Sequence, residues 1–228
     1  MPPNPQRRDL TRDRIVEVAA DLLREQGPAA VTTRRVAQEA GLQPPALYRL
    51  FQDKGDLLDA AAEHVFVEHV ASKQTAAPSD DPVEDLRAGW DTHIGFGLAN
   101  PYVFALLIDP SRARESPAQV EGVRILAERV HRIAAAGMLR VSEERAVNLI
   151  RAAGTGTVHT LLTLPPDHRD PHLADAAFDA VTRAILVNEP AVPAREPAAV
   201  VAAFRTVLPD LPGLSSAEAA LLDEWLRR

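Results

Sequence analysis

From Ile15 onward the apolar residues of this chain recur at helical spacing. Ile15, Val18, Ala19, Leu22 and Leu23 fall at i, i+3, i+4, i+7 and i+8, one stripe along a helix predicted over residues 11–26. Thr11 is placed to cap its start, and Gly27-Pro28 to end it. The same period returns in Val120, Val123, Leu126, Ala127, Val130 and Ile133, which predict a long amphipathic helix over residues 117–136. No convincing strand pattern is found. With only ten aromatic residues among 228, the core must be built from Leu, Val, Ile and Ala. Leu and Ala favour helix, whereas aromatic and β-branched residues favour strand. The chain reads as all-α.

Glycine and proline divide this helical pattern into segments. A short helix is predicted over residues 33–40, followed by Gly41, which supplies the positive φ of a tight turn. The next helix opens on Pro44-Pro45, where first-turn N–H groups lack intrahelical partners anyway, and runs to about Phe51. Asp53 is placed to cap a helix over residues 54–73. Beyond the Pro78–Pro82 break, helices are expected at 83–99, 102–108, 117–136, 143–164 and 171–188, with Asn100-Pro101, Gly137 and Pro165-Pro166 as interruptions. Pro190, Pro193 and Pro197 mark a linker, and two more helices are expected at 198–208 and 216–226. The expected organisation is a disordered arm at 1–8, a helix-turn-helix unit at 9–55, a larger helical domain at 56–190 and a helical extension at 191–228.

Several classes of function are set aside by composition. No segment is long and apolar enough to span a membrane, and the N-terminus has no apolar stretch behind its charges to act as a secretion signal, so a cytoplasmic location is expected. The absence of cysteine removes disulfides, thiolate metal sites and cysteine nucleophiles. The net charge of −7 argues against a globally basic nucleic-acid binder. Its distribution does not: residues 1–60 carry nine basic and nine acidic side chains, so all the excess acidity lies further on. DNA binding requires only a local basic face.

Residues 33–51 have the layout of a helix-turn-helix, in which the second helix presents its N-terminal residues to the major groove. Pro44, Pro45 and Ala46 open that helix without bulk, so its backbone can approach a duplex closely. Leu47 and Phe51, four apart, are expected to pack inward, with Tyr48 and Arg49 turned towards the groove or the sugar-phosphate strands. Gln43, just before the helix, joins the same expected surface. Lys54 at the start of the next helix combines a cation with free N–H groups, a clamp for phosphate. Arg34 is read as a DNA contact; Arg35 reads equally as part of a solvated helix face.

The run from Val31 to Leu58, with Gly41-x-x-x-x-x-Leu47-Tyr48-x-x-Phe51-x-x-Lys54-x-x-Leu57-Leu58, closely resembles the DNA-binding segment of the tetracycline-repressor (TetR) family. The resemblance covers about residues 10–70. It implies a homodimeric regulator, mostly repressing, that leaves double-stranded operator DNA when a small-molecule effector binds the C-terminal domain. It further implies DNA contacts from Thr33, Arg34, Pro44, Pro45 and Tyr48, and a phosphate contact from Lys54. Ala46 stands where many relatives carry a phosphate-binding hydroxyl, and Leu50 where an aromatic residue or His is common, so those two contacts are not carried over. The helices at 143–164 and 171–188 occupy the family's dimerisation positions, where two from each subunit make a four-helix bundle. The small residues Ala152, Ala153, Gly154 and Gly156 would permit close approach there, alongside Leu173, Ala177, Val181 and Leu186.

Four of the ten aromatics, Trp90, Phe96, Tyr102 and Phe104, fall within fifteen residues, and the Phe96–Tyr102 stretch resembles the family's pocket-lining helix–break–helix. Such residues are more often core than ligand wall, but a mainly apolar site with a few polar groups has this make-up. His93, Arg124, His131, Thr155 and His159 are the polar candidates. None of His93, His131 and His159 forms the i, i+4 pair with a carboxylate that marks a helical zinc site, and neither a metal nor a cofactor is expected. No catalytic constellation is found, and Gly154-Thr155-Gly156-Thr157 lacks the strand–loop–helix context of a phosphate loop. A helical-bundle enzyme and a DNA-binding regulator without a ligand are the alternatives to a ligand-controlled repressor.

Overall fold

The computed structural model describes residues 5–74, 79–110, 116–187, 204, 208 and 211–226. They form helices α1 (Pro5–Gln26), α2 (Thr33–Glu39), α3 (Pro44–Leu47), α4 (Lys54–Gln74), α5 (Pro82–Ala99), α6 (Pro101–Leu107), α7 (Pro117–Ala135), α8 (Glu143–Thr163), α9 (Leu173–Ile185) and α10 (Ser216–Leu226). Among the described residues there is no strand; Leu139 and Leu186 form an isolated antiparallel bridge. The all-α expectation holds.

The boundaries follow the local chemistry. Thr32 Oγ1 accepts the Arg35 N–H at 3.3 Å to cap α2, and the Asp81 carboxylate accepts from Val83 N at 2.8 Å to cap α5. Ser116 and Ser142 do the same for α7 and α8, accepting from Gln119 N at 3.0 Å and Arg145 N at 3.3 Å. Gly41, with φ +70°, makes the left-handed turn between α2 and α3.

Two expectations need correction. First, α1 begins at Pro5, so residues 5–8, expected in a disordered arm, are helical and Thr11 lies inside the helix rather than at its cap. The tolerance for proline in a first turn, applied above to Pro44-Pro45, operates at Pro5 too. Second, α3 closes at Leu47, with the Leu50 and Phe51 N–H groups both donating to the Leu47 carbonyl at 2.9 Å. The expected linker at 190–197 and most of the helix expected at 198–208 lie outside the described residues.

Packing produces two cores. The first joins Ile15, Ala19, Leu22 and Leu23 of α1, Val36 and Ala37 of α2, Leu47 and Phe51, and Leu57, Leu58, Ala61 and Val65 of α4, with Phe96 of α5 and Val103 of α6. A boundary at residue 55 therefore cuts through one continuous core. The second gathers Leu86, Trp90, Ile94, Phe104, Val130, Ile133, Ile150, Val158, Phe178, Val181 and Ile185 from α5 to α9. Ala177, Val181 and Leu186 face this core, leaving Ala176, Ala180 and Ala184 as the exposed face of α9. On α8 the small residues divide similarly. Gly154 is buried against His93 and Trp90 and Ala153 packs on the core, whereas Ala152 and Gly156 are exposed.

Candidate functional site

The α2–turn–α3 unit is held from beneath and open above. Leu47 is 1% exposed and Phe51 is buried, so α3 is fixed by its inner side. Gln43, Pro44 and Pro45 are exposed and Ala46 is half-buried. The Gln43 backbone is extended, and its side chain makes no cap hydrogen bond, which leaves its amide available. Tyr48 is 64% exposed, yet its hydroxyl lies 3.3 Å from Thr33 Oγ1, tying α3 to the start of α2. At that distance the contact is long for an O–H···O hydrogen bond, so it orients the exposed phenol only weakly and leaves the hydroxyl able to take another partner.

The cations divide by their partners. Arg35 donates to Glu39 and to Gln26, both at 2.8 Å, and so belongs to the fold. Arg34, Arg49 and Lys54 are exposed and make no ion pair among the described residues. At the start of α4, Asp53 Oδ1 accepts the Asp56 N–H at 2.9 Å while Asp56 Oδ2 accepts the Gln52 N–H at 3.1 Å. Of these two donors only the Asp56 N–H belongs to the first turn of α4, and the Lys54 side chain stays exposed beside it. Leu50 packs half-buried on the first core.

A cavity of about 750 Å³ lies between α4, α5, α6, α7 and α8. Trp90, His93, Phe96, Phe104 and Thr155, all candidates from the sequence, line it. Trp90 is also structural: its indole N–H donates to the Ala174 carbonyl at 3.2 Å, and its ring meets that of Phe178 at 5.6 Å. Phe96 stacks on His69 at 4.1 Å. The break between α5 and α6 is made by Asn100, whose side-chain amide donates to the Phe96 carbonyl at 3.0 Å before Pro101 starts the next helix.

The other four candidates lie outside this cavity. Tyr102 is 44% exposed and sets its ring against the Gly27 turn after α1. Arg124 is on the outer face of α7, paired with Glu121 at 2.6 Å and with Glu128. Hydrogen bonding to Glu121 holds its guanidinium pKa above the ordinary arginine value. His131 is exposed beside Glu143, 3.2 Å away. His159 lines a separate open groove on the outer side of α8, with Asn148, Arg151 and Ala152.

Two features of the wall were not anticipated. Arg129 projects into the cavity from α7, against Gly89 of α5. The signal was present: Arg129 falls three residues after Leu126 and four before Ile133, on the edge of the α7 apolar stripe. The second is the α4 wall, where Asp59, Glu63 and Phe66 appear. Glu63 accepts the Ala118 N–H at 2.9 Å and the Ser116 hydroxyl, so α4 is fastened to the N-terminus of α7.

Short helices joined by a left-handed glycine turn, with an open segment at the second helix, have the geometry of a helix-turn-helix, and it is joined here to a cavity-bearing helical body. The family model described as "Bacterial regulatory proteins, tetR family" matches residues 15–61. Over residues 15–61, therefore, the chain is similar to the DNA-binding segment of TetR-family regulators. It is 41% identical over 73 residues to the tetracycline repressor protein class C of Escherichia coli, covering 32% of this chain and 32% of that protein. It thus spans about a third of that relative's length. Over a longer stretch it is similar to a TetR/AcrR-family regulator from Thermobifida fusca, 27% identical with a TM-score of 0.58, across 75% of this chain and 94% of that one. A protein of unknown function from Rhodococcus shares the fold at 22% identity and TM-score 0.65, over 78% and 96% of the two chains.

Proposed function

We propose that this protein is a repressor that binds a palindromic operator as a homodimer and leaves it when a small molecule occupies the cavity. The observation that carries this reading is α4. Its first residue, Lys54, stands beside the recognition segment; Leu57, Leu58 and Val65 lie in the first core; and Asp59, Glu63 and Phe66 form a wall of the cavity. A ligand that favours a different α4 position therefore moves the recognition helix.

The recognition surface consists of Thr33, Arg34, Gln43, Pro44, Pro45, Tyr48 and Arg49, with Lys54 on phosphate. Ala46 contributes close approach without a hydrogen bond. Two such surfaces in a dimer must meet half-sites about 34 Å apart, one helical turn of DNA. The exposed faces of α8 and α9, with Ala152, Gly156, Ala176, Ala180 and Ala184, are small enough for helices of a second subunit to approach closely. Ligand binding works by population shift and acts only through its differential affinity for the two states.

This reading makes the protein a cytoplasmic regulator without catalytic chemistry. The test is to select bound sequences from a random DNA pool and titrate the recovered site across salt concentrations. A two-fold symmetric site whose affinity falls steeply with salt supports the reading. Recovery of no preferred sequence contradicts it.

A further inference from the structure

The cavity is apolar for most of its wall, with Trp90, Phe96, Phe104, Leu126 and Ile150 among its lining. Its charged groups differ in one respect. Of the acids, Asp56 and Glu63 are committed to backbone and hydroxyl donors, and Asp59 and Asp109 have interactions of their own. Arg12 lies over the Phe51 ring, 5.4 Å from its centroid, and Arg151 is an exposed residue at the edge. Arg129 alone is partly buried, faces the cavity and makes no hydrogen bond or ion pair among the described residues.

A guanidinium withdrawn from water needs an anion or several acceptors to offset its lost hydration. Among the described residues the fold supplies neither. It instead supplies room: position 89 is glycine, and a Cβ there would lie 3.0 Å from Arg129 Cζ and closer still to Nη1. Arginine's planar fork matches a carboxylate through two parallel N–H donors. We propose that the effector is an apolar monocarboxylate whose carboxylate pairs with Arg129 and whose hydrocarbon or aromatic body fills the space between α5, α6 and α8. This assignment rests on the ligand-controlled reading above and adds the chemical class of the ligand.

The test uses the full chain and two matched series: 2-naphthoate, 2-naphthamide and 2-naphthylmethylammonium, and decanoate, decanamide and decylammonium. In calorimetric titrations at least one carboxylate binds about tenfold or more tighter than its amide, as a charge-assisted bidentate pair requires, and the ammonium is weakest. Arg129→Gln brings carboxylate and amide within about twofold of each other, whereas Arg151→Gln keeps the preference. Gly89→Ala displaces the guanidinium and lowers carboxylate affinity while Tm is unchanged or raised, because alanine is the better helix residue. A purely structural role for Arg129 would not separate affinity from stability in this way.

Equal binding of amide or ammonium overturns the proposal, as does a preference that survives Arg129→Gln, or binding of neither carboxylate. Mobility shifts on the selected operator, run on the same samples, separate the two ideas. DNA binding without carboxylate binding sinks the ligand class alone; carboxylate binding without DNA binding sinks the regulator reading alone.

Discussion

Replacing Gly27 by alanine tests how the DNA-facing unit is fastened to the cavity-bearing body. Gly27 ends α1 at φ +80°, with its N–H donating to the Leu23 carbonyl at 3.1 Å. An L-residue forced into the left-handed region costs about 1–2 kcal/mol. The added Cβ would also stand 3.0 Å from Cε1 and Cζ of Tyr102, so the ring must yield by a few tenths of an ångström. Because Tyr102 is 44% exposed, it can move, and the steric part is the smaller one. A loss of about 1–2 kcal/mol lowers Tm by about 2–8 °C in a chain of this size. Thermal denaturation followed by circular dichroism at 222 nm measures the shift. Repeating the substitution in a Tyr102→Ala background isolates the ring, and the cost there should fall by about 0.5 kcal/mol. A neutral or stabilising Gly27→Ala refutes the backbone argument. An identical cost in both backgrounds refutes the claim that α6 rests on this turn.

Three further outcomes follow from the same geometry. Lys54→Ala weakens DNA binding by a similar factor on every sequence and reduces the salt slope by about one per subunit, measured by fluorescence anisotropy over a salt series. Arg34→Ala weakens operator binding in that assay, whereas Arg35→Ala, which removes a residue paired with Glu39 and Gln26, leaves affinity within about twofold. Leu47→Ala removes a side chain that is 1% exposed and costs about 2–5 kcal/mol, read by urea denaturation together with loss of DNA binding.

The helices were legible wherever Gly or Pro bounded a clear apolar stripe, and α2, α4 and α8 fall within a residue or so of their expected limits. The recognition segment was legible because its spacing is dense: Leu47 and Phe51 point in, Tyr48 and Arg49 out. The cavity was only half legible. Trp90, His93, Phe96 and Phe104 stand close together along the chain, and proximity in sequence carried them. Arg124 and His131 have the chemistry of a ligand site, but their positions on α7 turn them to solvent, where Glu121 and Glu143 meet them. Arg129 sits at the edge of the α7 apolar stripe, a position that the stripe itself does not mark. The α4 wall comes from residues more than twenty positions upstream, and no local pattern announces that convergence. For α8 and α9, helical spacing marked small and apolar residues without saying which face the core would claim.

Methylation interference on the selected operator tests the recognition surface most directly. Dimethyl sulfate modifies guanine N7 on the major-groove edge and adenine N3 in the minor groove, so it reports which groove Gln43–Arg49 enter. Blocking guanine N7 should abolish binding in two symmetric clusters about one helical turn apart, with Tyr48→Ala weakening both. Interference confined to adenine N3, or a single unpaired cluster, would contradict a paired major-groove docking.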